Sequence, residues 1–399
     1  MTCCRPCVLP LTVIILALVS RYFITMYFFL GFHVDLTPFF NDESCMLLGS
    51  MTGSEDMTIG MNDVLFITSG DLHETFNHGT AHLTPGGIYA LNLASFNNDQ
   101  SQQPQRLVLE NFDADTVGFQ PHGLYVSETT HRMYVVNHAK NYSGIEIFVI
   151  NYEASPISLT HESTVGNDGT TFMLRTINDV VEGGMESNEL YVTEWLPSAL
   201  PLNGKKSDSL TVSQKFDELG RLIMSLSGTR ATHVYRCARL TSDDDWRCAL
   251  ATEMTFAGAN GITISSDRQN VYVNDPPLRE ITVFERDIST GALSFVEKFH
   301  TVESMDNIEW EETTGTILMG SIPMLYPYVV QNDMLGGHVS VSGGAVVAKR
   351  TSSSGWTVER LLTHDGKKMS QVSSAARFHD RIFLGSPFSR GILVCEIPK

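Results

Sequence analysis

The chain is short of positive charge. Its 399 residues carry 27 Lys and Arg against 45 Asp and Glu, a formal net charge of -18. Nucleic-acid binding needs clustered cations, so this balance argues against that class of partner. It suits cation binding, although an acidic surface also serves solubility. Familiar catalytic signatures are missing too. The sequence has no G-x-S-x-G nucleophile elbow, no P-loop and no dinucleotide-binding fingerprint, which removes support for a serine-hydrolase route and for nucleotide chemistry. From residue 60 onward sustained helical periodicity is also lacking. Short β-branched and aromatic runs separated by Gly, Asn, Asp or Ser stand in its place, an all-β pattern.

The long apolar run lies at the N-terminus. Arg5 precedes apolar character from about Val8 to Phe32, interrupted mainly by Arg21. Because that character continues past Arg21 through Phe23, Met26 and Phe28, an uncleaved anchor helix is expected in place of a cleaved signal peptide. Arg21 is the costly residue in that reading unless it snorkels. The expected division is residues 1–36 as signal-anchor and residues 37–399 as one domain.

Of seven cysteines, Cys3, Cys4 and Cys7 lie beside the anchor, where acylation is compatible with position. An even four remain: Cys45, Cys237, Cys248 and Cys395. Behind a secretory leader these suggest two disulfides, with Cys237 and Cys248 a local pair across a turn and Cys45 left to meet Cys395; four free buried thiols are the alternative. The one N-x-S/T sequon, at Asn141, fits a luminal or extracellular domain as a glycosylation site.

Two segments align without a gap. HGLYVSETTHRMYV runs from His122 to Val135, and NGITISSDRQNVYV from Asn260 to Val273. Related strand-turn-strand units begin near Glu55, Asn178, Asp306 and Gln371, making six of roughly 60 residues each, somewhat above the usual propeller repeat. Residues 198–230 read as an inserted loop. A six-bladed β-propeller follows. A large sandwich or β-helix, the rival all-β architectures, would give no equivalent polar residue at each repeat start.

The innermost strand of every propeller blade lines the central channel, so residues at one end of those strands converge. Here they are Glu55, His122, Asn178, Asn260, Asp306 with Asn307, and the region of Gln371. Carboxylates and amide oxygens form a hard-oxygen set of the kind calcium takes; magnesium prefers a smaller octahedron and zinc more His and Cys. Asp56 and Asp179 follow Glu55 and Asn178 directly and point away from the first set. With the Leu124 carbonyl they could hold a second, deeper calcium; buried hydrogen-bonded carboxylates are the alternative.

The order and spacing of GSED from Gly53, PHG from Pro121, VNH from Val136, IND from Ile177, ANG from Ala259, DNI from Asp306 and VCE from Val394 resemble the paraoxonase/arylesterase family of calcium-dependent lactonases, across nearly the whole domain. The resemblance implies two Ca²⁺ ions: a catalytic one on Glu55, Asn178, Asn260, Asp306 and Asn307, and a structural one on Asp56, Asp179 and the Leu124 carbonyl. It implies a His122 and His138 dyad, a Cys45–Cys395 disulfide, and hydrolysis of lactones and aryl esters. It likewise implies a secretory-pathway enzyme, membrane-anchored or secreted with its leader retained, that meets a membrane or lipid surface through the N-terminus.

Calcium polarising the carbonyl, with His122 and His138 assisting water attack, is the expected mechanism. Two stretches depart from the family pattern. Thr193, Glu194, Trp195 and Leu196 replace an Asn-Asp-His-Tyr-type run, and Gly258 stands where an aromatic is usual, with Phe256 two positions earlier. Both are expected at the pocket wall, so substrate preference does not transfer. The alternatives are a gluconolactonase-like or strictosidine-synthase-like propeller enzyme, and a non-catalytic calcium-pinned propeller that binds protein or lipid.

Overall fold

A computed structural model describes residues 8–36, 44–72, 74–75, 83–96, 102–166, 176–184, 188–196, 227–241, 245–327, 340–351 and 355–397. The inserted loop expected at 198–230 lies outside these residues except for its last four, and Cys3, Cys4 and Cys7 lie outside them entirely.

Alternating apolar residues between turn residues produce six antiparallel sheets, one per expected repeat. The chain enters with β1 (Met46–Thr52). Blade one comprises β2 (Met57–Gly60), β3 (Val64–Ser69), β4 (Gly87–Asn92) and β5 (Gln105–Arg106). Blade two has β7 (Pro121–Ser127), β8 (Arg132–His138), β9 (Ser143–Asn151) and β10 (Ser158–Val165), and its outer edge adds the short parallel strand β6 (Val108–Glu110). Blade three is β11 (Thr176–Glu182), β12 (Glu189–Leu196), β13 (Val234–Ala238) and β14 (Arg247–Leu250). Blade four is β15 (Ile262–Ile264), β16 (Asn270–Asp275), β17 (Glu280–Arg286) and β18 (Leu293–His300). Blade five is β19 (Ser304–Glu311), β20 (Thr316–Ile322), β21 (Gly343–Thr351) and β22 (Gly355–His364). Blade six joins β23 (Ser374–Phe378), β24 (Arg381–Gly385) and β25 (Arg390–Glu396) to β1, so the two ends of the domain share one sheet.

The inner strands β2, β7, β11, β15, β19 and β23 contact one another in a closed ring. The apolar core is divided among the six junctions between blades. Phe66 and Ile88 of blade one pack on Leu124 and Phe148 of blade two, for example, and Tyr272 and Ile281 of blade four on Ile317 and Met319 of blade five. Two disulfides are present, Cys45–Cys395 in the closing blade and Cys237–Cys248 across β13 and β14. The Cys45–Cys395 bridge spans 350 residues and locks the ring where it would otherwise open.

The apolar N-terminal run forms α1 (Val8–Phe29), long and apolar enough to cross a bilayer by length and composition. Its side chains are exposed from Thr12 to Ser20, but its final turns meet the propeller. Arg21 Nη2 donates to the Gly228 carbonyl at 3.5 Å, the Arg279 guanidinium lies 4.5 Å over the Phe28 ring, and Phe32 stacks on Tyr326.

Candidate active site at the propeller axis

Three inner strands break register where the site residues sit. In β7 the pairing jumps from Pro121 to Leu124, in β11 from Ile177 to Val180, and in β19 from Met305 to Ile308. Each jump sets two residues against one on the neighbouring strand: His122 and Gly123 against Val136, Asn178 and Asp179 against Thr193, Asp306 and Asn307 against Gly320. This is the geometry of a β-bulge, which lifts its residues out of the ladder and re-aims their side chains. Glu55 and Asp56 occupy the equivalent place before β2. Thr68 holds the Asp56 amide and carbonyl just as Thr193 holds those of Asp179, at 3.0 and 3.2 Å in one case and 3.1 and 3.4 Å in the other. The strands approach closely here. A Cβ on Gly123 would stand 2.5 Å from Asp179 Oδ1, and one on Gly261 2.8 Å from Asn307 Cα.

The bulges bring Glu55, His122, Asn178 and Asn307 into one buried cluster. His122 Nε2 lies 3.2 Å from Glu55 Oε1 and 3.4 Å from Asn178 Nδ2, and Asn307 Nδ2 donates to Glu55 Oε1 at 2.8 Å. The Asn260 side chain hydrogen-bonds to Asp306, the member of the set that keeps partial exposure. Ser373 completes the floor by donating to the Glu55 carbonyl at 2.5 Å.

Four oxygens of this cluster are buried without any hydrogen-bond donor: Glu55 Oε2, Asn178 Oδ1, Asn260 Oδ1 and Asn307 Oδ1. Each orphaned acceptor costs about 1–3 kcal/mol. Four such groups together rival the whole stability of a typical domain, about 5–15 kcal/mol. A hard cation satisfies all four at once, so these residues fit calcium. Among the described residues no three His, Cys, Asp or Glu side chains gather as a metal group by themselves; the donor set is rich in amide oxygens. Burial, eased by the Asn307 hydrogen bond, pushes the Glu55 carboxyl up to about 8. Burial and the neighbouring Glu55 charge lift Asp306 well above the usual carboxylate range.

The deeper pair is built differently. Asp56 accepts from the Met57 and Leu124 amides at 2.9 and 2.8 Å, and Asp179 from the Val180 and Ile262 amides at 2.7 and 2.9 Å. All four oxygens are therefore engaged, and each aspartate ties one blade to the next. What recommends a cation here is charge alone. Burial first, then repulsion from Glu55 for Asp56 and from Asp56 for Asp179, raises both carboxyls well above their ordinary range. Glu309 adds its charge to the same region, two residues along β19 from Asn307. Strand alternation from Asn307 would have signalled it in the sequence.

His122 and His138 are in contact, Nδ1 to Nε2, at 2.8 Å. Burial lowers His122 to about 3 and, with His122 beside it, carries His138 well below the ordinary value, so both rings are neutral. His138 Nδ1 in turn lies 3.0 Å from Ser143 Oγ, a residue that the sequence marks only as the end of the Asn141 sequon. Asn141 is exposed at the turn between β8 and β9.

The two departures from the family pattern meet in space. A Cβ on Gly258 would stand 3.4 Å from Trp195 Cδ1. The missing side chain at 258 thus makes room for the indole contributed at 195. Glu194 turns inward, within 3.1 Å of His233 Nδ1 and accepting from the Tyr235 hydroxyl at 3.2 Å.

Ring, bulges and axial cluster define a six-bladed propeller with an oxygen-rich centre on its axis. The arylesterase family model matches residues 38–195 and 250–397, and the chain belongs to that family, within the esterase and lactonase class of enzymes. It is similar to serum paraoxonase/lactonase 3 of Homo sapiens, 27% identical over 362 residues and 89% of each chain, and to serum paraoxonase/arylesterase 2 of Gallus gallus, 25% identical over 365 residues and again 89% of each. Among solved structures it is similar to a luciferin-regenerating enzyme, with a TM-score of 0.49 at 12% identity, covering 88% of this chain and 94% of that one.

Proposed function

We propose that the chain hydrolyses lactones and aryl esters at the axial cluster, with calcium held by Glu55, Asn178, Asn260, Asp306 and Asn307. The observation that carries this reading is the set of four orphaned oxygens on four of those five residues, beside a neutral imidazole. Calcium bound there supplies Lewis-acid polarisation of the carbonyl and electrostatic stabilisation of the developing oxyanion. His122 takes the proton of the attacking water through Nε2, the nitrogen that faces Glu55 and Asn178. His138 holds the opposite ring nitrogen. Gly258 and Trp195 reshape the wall, so the preferred acyl or alcohol group is this chain's own. A second calcium on Asp56, Asp179 and the Leu124 carbonyl would join blades one, two and three as a structural pin.

The disulfides and the apolar α1 fit the secretory pathway. Within this proposal residues 1–36 attach the 37–399 domain to a membrane or lipid surface, with Asn141 as a glycosylation site.

The test is hydrolysis of phenyl acetate and a long-chain lactone by the purified full chain, with and without a calcium chelator. Turnover that is abolished by chelator and restored by calcium is the expected result. Absence of chelator-sensitive turnover on either substrate would overturn the reading and favour a calcium-pinned binding propeller.

A further inference from the structure

Asn274 lies near the end of β16 and is completely buried. Its backbone serves blade four: the Asn260 amide donates to its carbonyl at 2.9 Å, and its own amide donates to the Gly261 carbonyl at 2.9 Å. Its side chain serves blade five. Nδ2 donates to the Met305 carbonyl at 3.0 Å and to the Asp306 carbonyl at 2.7 Å. The direction of this contact is settled, because a carbonyl oxygen only accepts and an amide NH2 carries two donors. Turning the amide over would set Oδ1 against two oxygens. Oδ1 itself is buried without a donor, so among the described residues the two carbonyls are the side chain's hydrogen-bond partners.

In a regular strand successive carbonyls point to opposite sides, and one nitrogen does not reach two successive ones. The β19 bulge breaks that alternation between Met305 and Ile308, and the carbonyls of Met305 and Asp306 both come within reach of a single Nδ2. Asn274 therefore complements the bulged form of β19 and not the regular one. Blade six holds the same bulge through the Asn307 amide, which donates to the Ser373 carbonyl at 2.8 Å. Gly261 lets β15 come close: a Cβ there would stand 2.8 Å from the Asp306 carbonyl oxygen. Asn274 thus grips both the strand start that carries Asn260 and the bulge that carries Asp306 and Asn307.

We infer that Asn274 is a positioning residue for the calcium site, its side-chain NH2 holding β19 in the bulged form that aims Asp306 and Asn307 at the ion. This role rests on the calcium-dependent reading above. It does not require Asn274 to touch the ion or the substrate.

The test compares the full chain with Asn274→Leu, which keeps the branched shape and loses both donors, and with Ile281→Val, which loosens the same junction of blades four and five without touching the site. Asn274→Ala takes the place of the leucine variant should that one not fold. The first readout, taken without calcium, is amide hydrogen exchange of the Ser304–Glu311 segment by mass spectrometry. Exchange there is expected to quicken about 10-fold or more in the leucine variant, with the Pro121–Ser127 segment unchanged. The second readout is the calcium dissociation constant by titration calorimetry. Residues that support metal ligands carry about 10- to 100-fold in affinity, and a loss of that size is expected for Asn274→Leu, against a change within about twofold for Ile281→Val whatever its melting temperature. Parental exchange in Ser304–Glu311 overturns the inference, because the bulge then needs no such hold. Parental calcium affinity in the leucine variant overturns it too, and so does an equal loss in Ile281→Val, which would make the effect one of stability. If the parent chain binds no calcium, the calcium-dependent reading fails, and exchange in Ser304–Glu311 still decides whether Asn274 holds the bulge.

Discussion

At the scale of single residues, the site is made by two neighbours doing opposite things. Asn178 and Asp179, and Glu55 and Asp56, are consecutive pairs in which the first side chain carries an orphaned oxygen and the second is satisfied by backbone amides. In the pair Asp306 and Asn307 it is the second side chain that carries an orphaned oxygen, while Asp306 is hydrogen-bonded to the Asn260 side chain. Replacing Asp306 with alanine removes one of two formal charges offered to the ion, and loss of such an electrostatic stabiliser costs about 100-fold or more in turnover. Phenyl acetate kinetics should show that loss, and thermal melts with and without calcium should show the ion no longer raising the melting temperature, because a ligand stabilises only what it binds. Most of the set was legible because the repeat marks the start of each inner strand. Glu309 was open to strand alternation from Asn307; Ser143 and Ser373 were not legible, since their places depend on strand register and on blades meeting across the axis, which spacing along one chain does not encode.

Elements decide how those residues are aimed. A regular strand would send Asn178 and Asp179 to opposite faces of one ladder; the bulge opposite Thr193 takes both out of it. Bulges were invisible in the sequence because a register jump is set by how a strand pairs with its neighbour, and the polar-Gly start that His122-Gly123 shares with Asn260-Gly261 does not encode it. The apolar N-terminal helix, by contrast, was legible from composition alone. What the structure adds is its docking. Arg21, the residue that a membrane would penalise, hydrogen-bonds to Gly228, and Phe28 lies against Arg279, so the final turns of α1 belong to the propeller surface while Val13 to Val19 remain exposed apolar surface. Deleting residues 8–20 should therefore move the protein from the membrane pellet to the soluble fraction on cell fractionation, with the melting temperature of the propeller within a few degrees of the intact chain. Retention in the pellet would show that attachment lies elsewhere.

Across the whole molecule, six interblade cores and one shared closing sheet make the ring, and the axis is where all six meet. The number of blades followed from the repeat. The parallel β6 on blade two and the irregular spacing did not, because insertions at blade edges leave the ring intact and so are free to vary. Four acceptors, on residues of blades one, three, four and five, are buried at the starts of the inner strands, and none has a donor. Their common partner is the central claim. Crystals grown in calcium, with data collected at a wavelength where calcium scatters anomalously, test it directly. The account predicts an anomalous peak in contact with Glu55 Oε2, Asp306 and the amide oxygens of Asn178, Asn260 and Asn307. No peak there, with those oxygens instead satisfied by water or by one another, would contradict it.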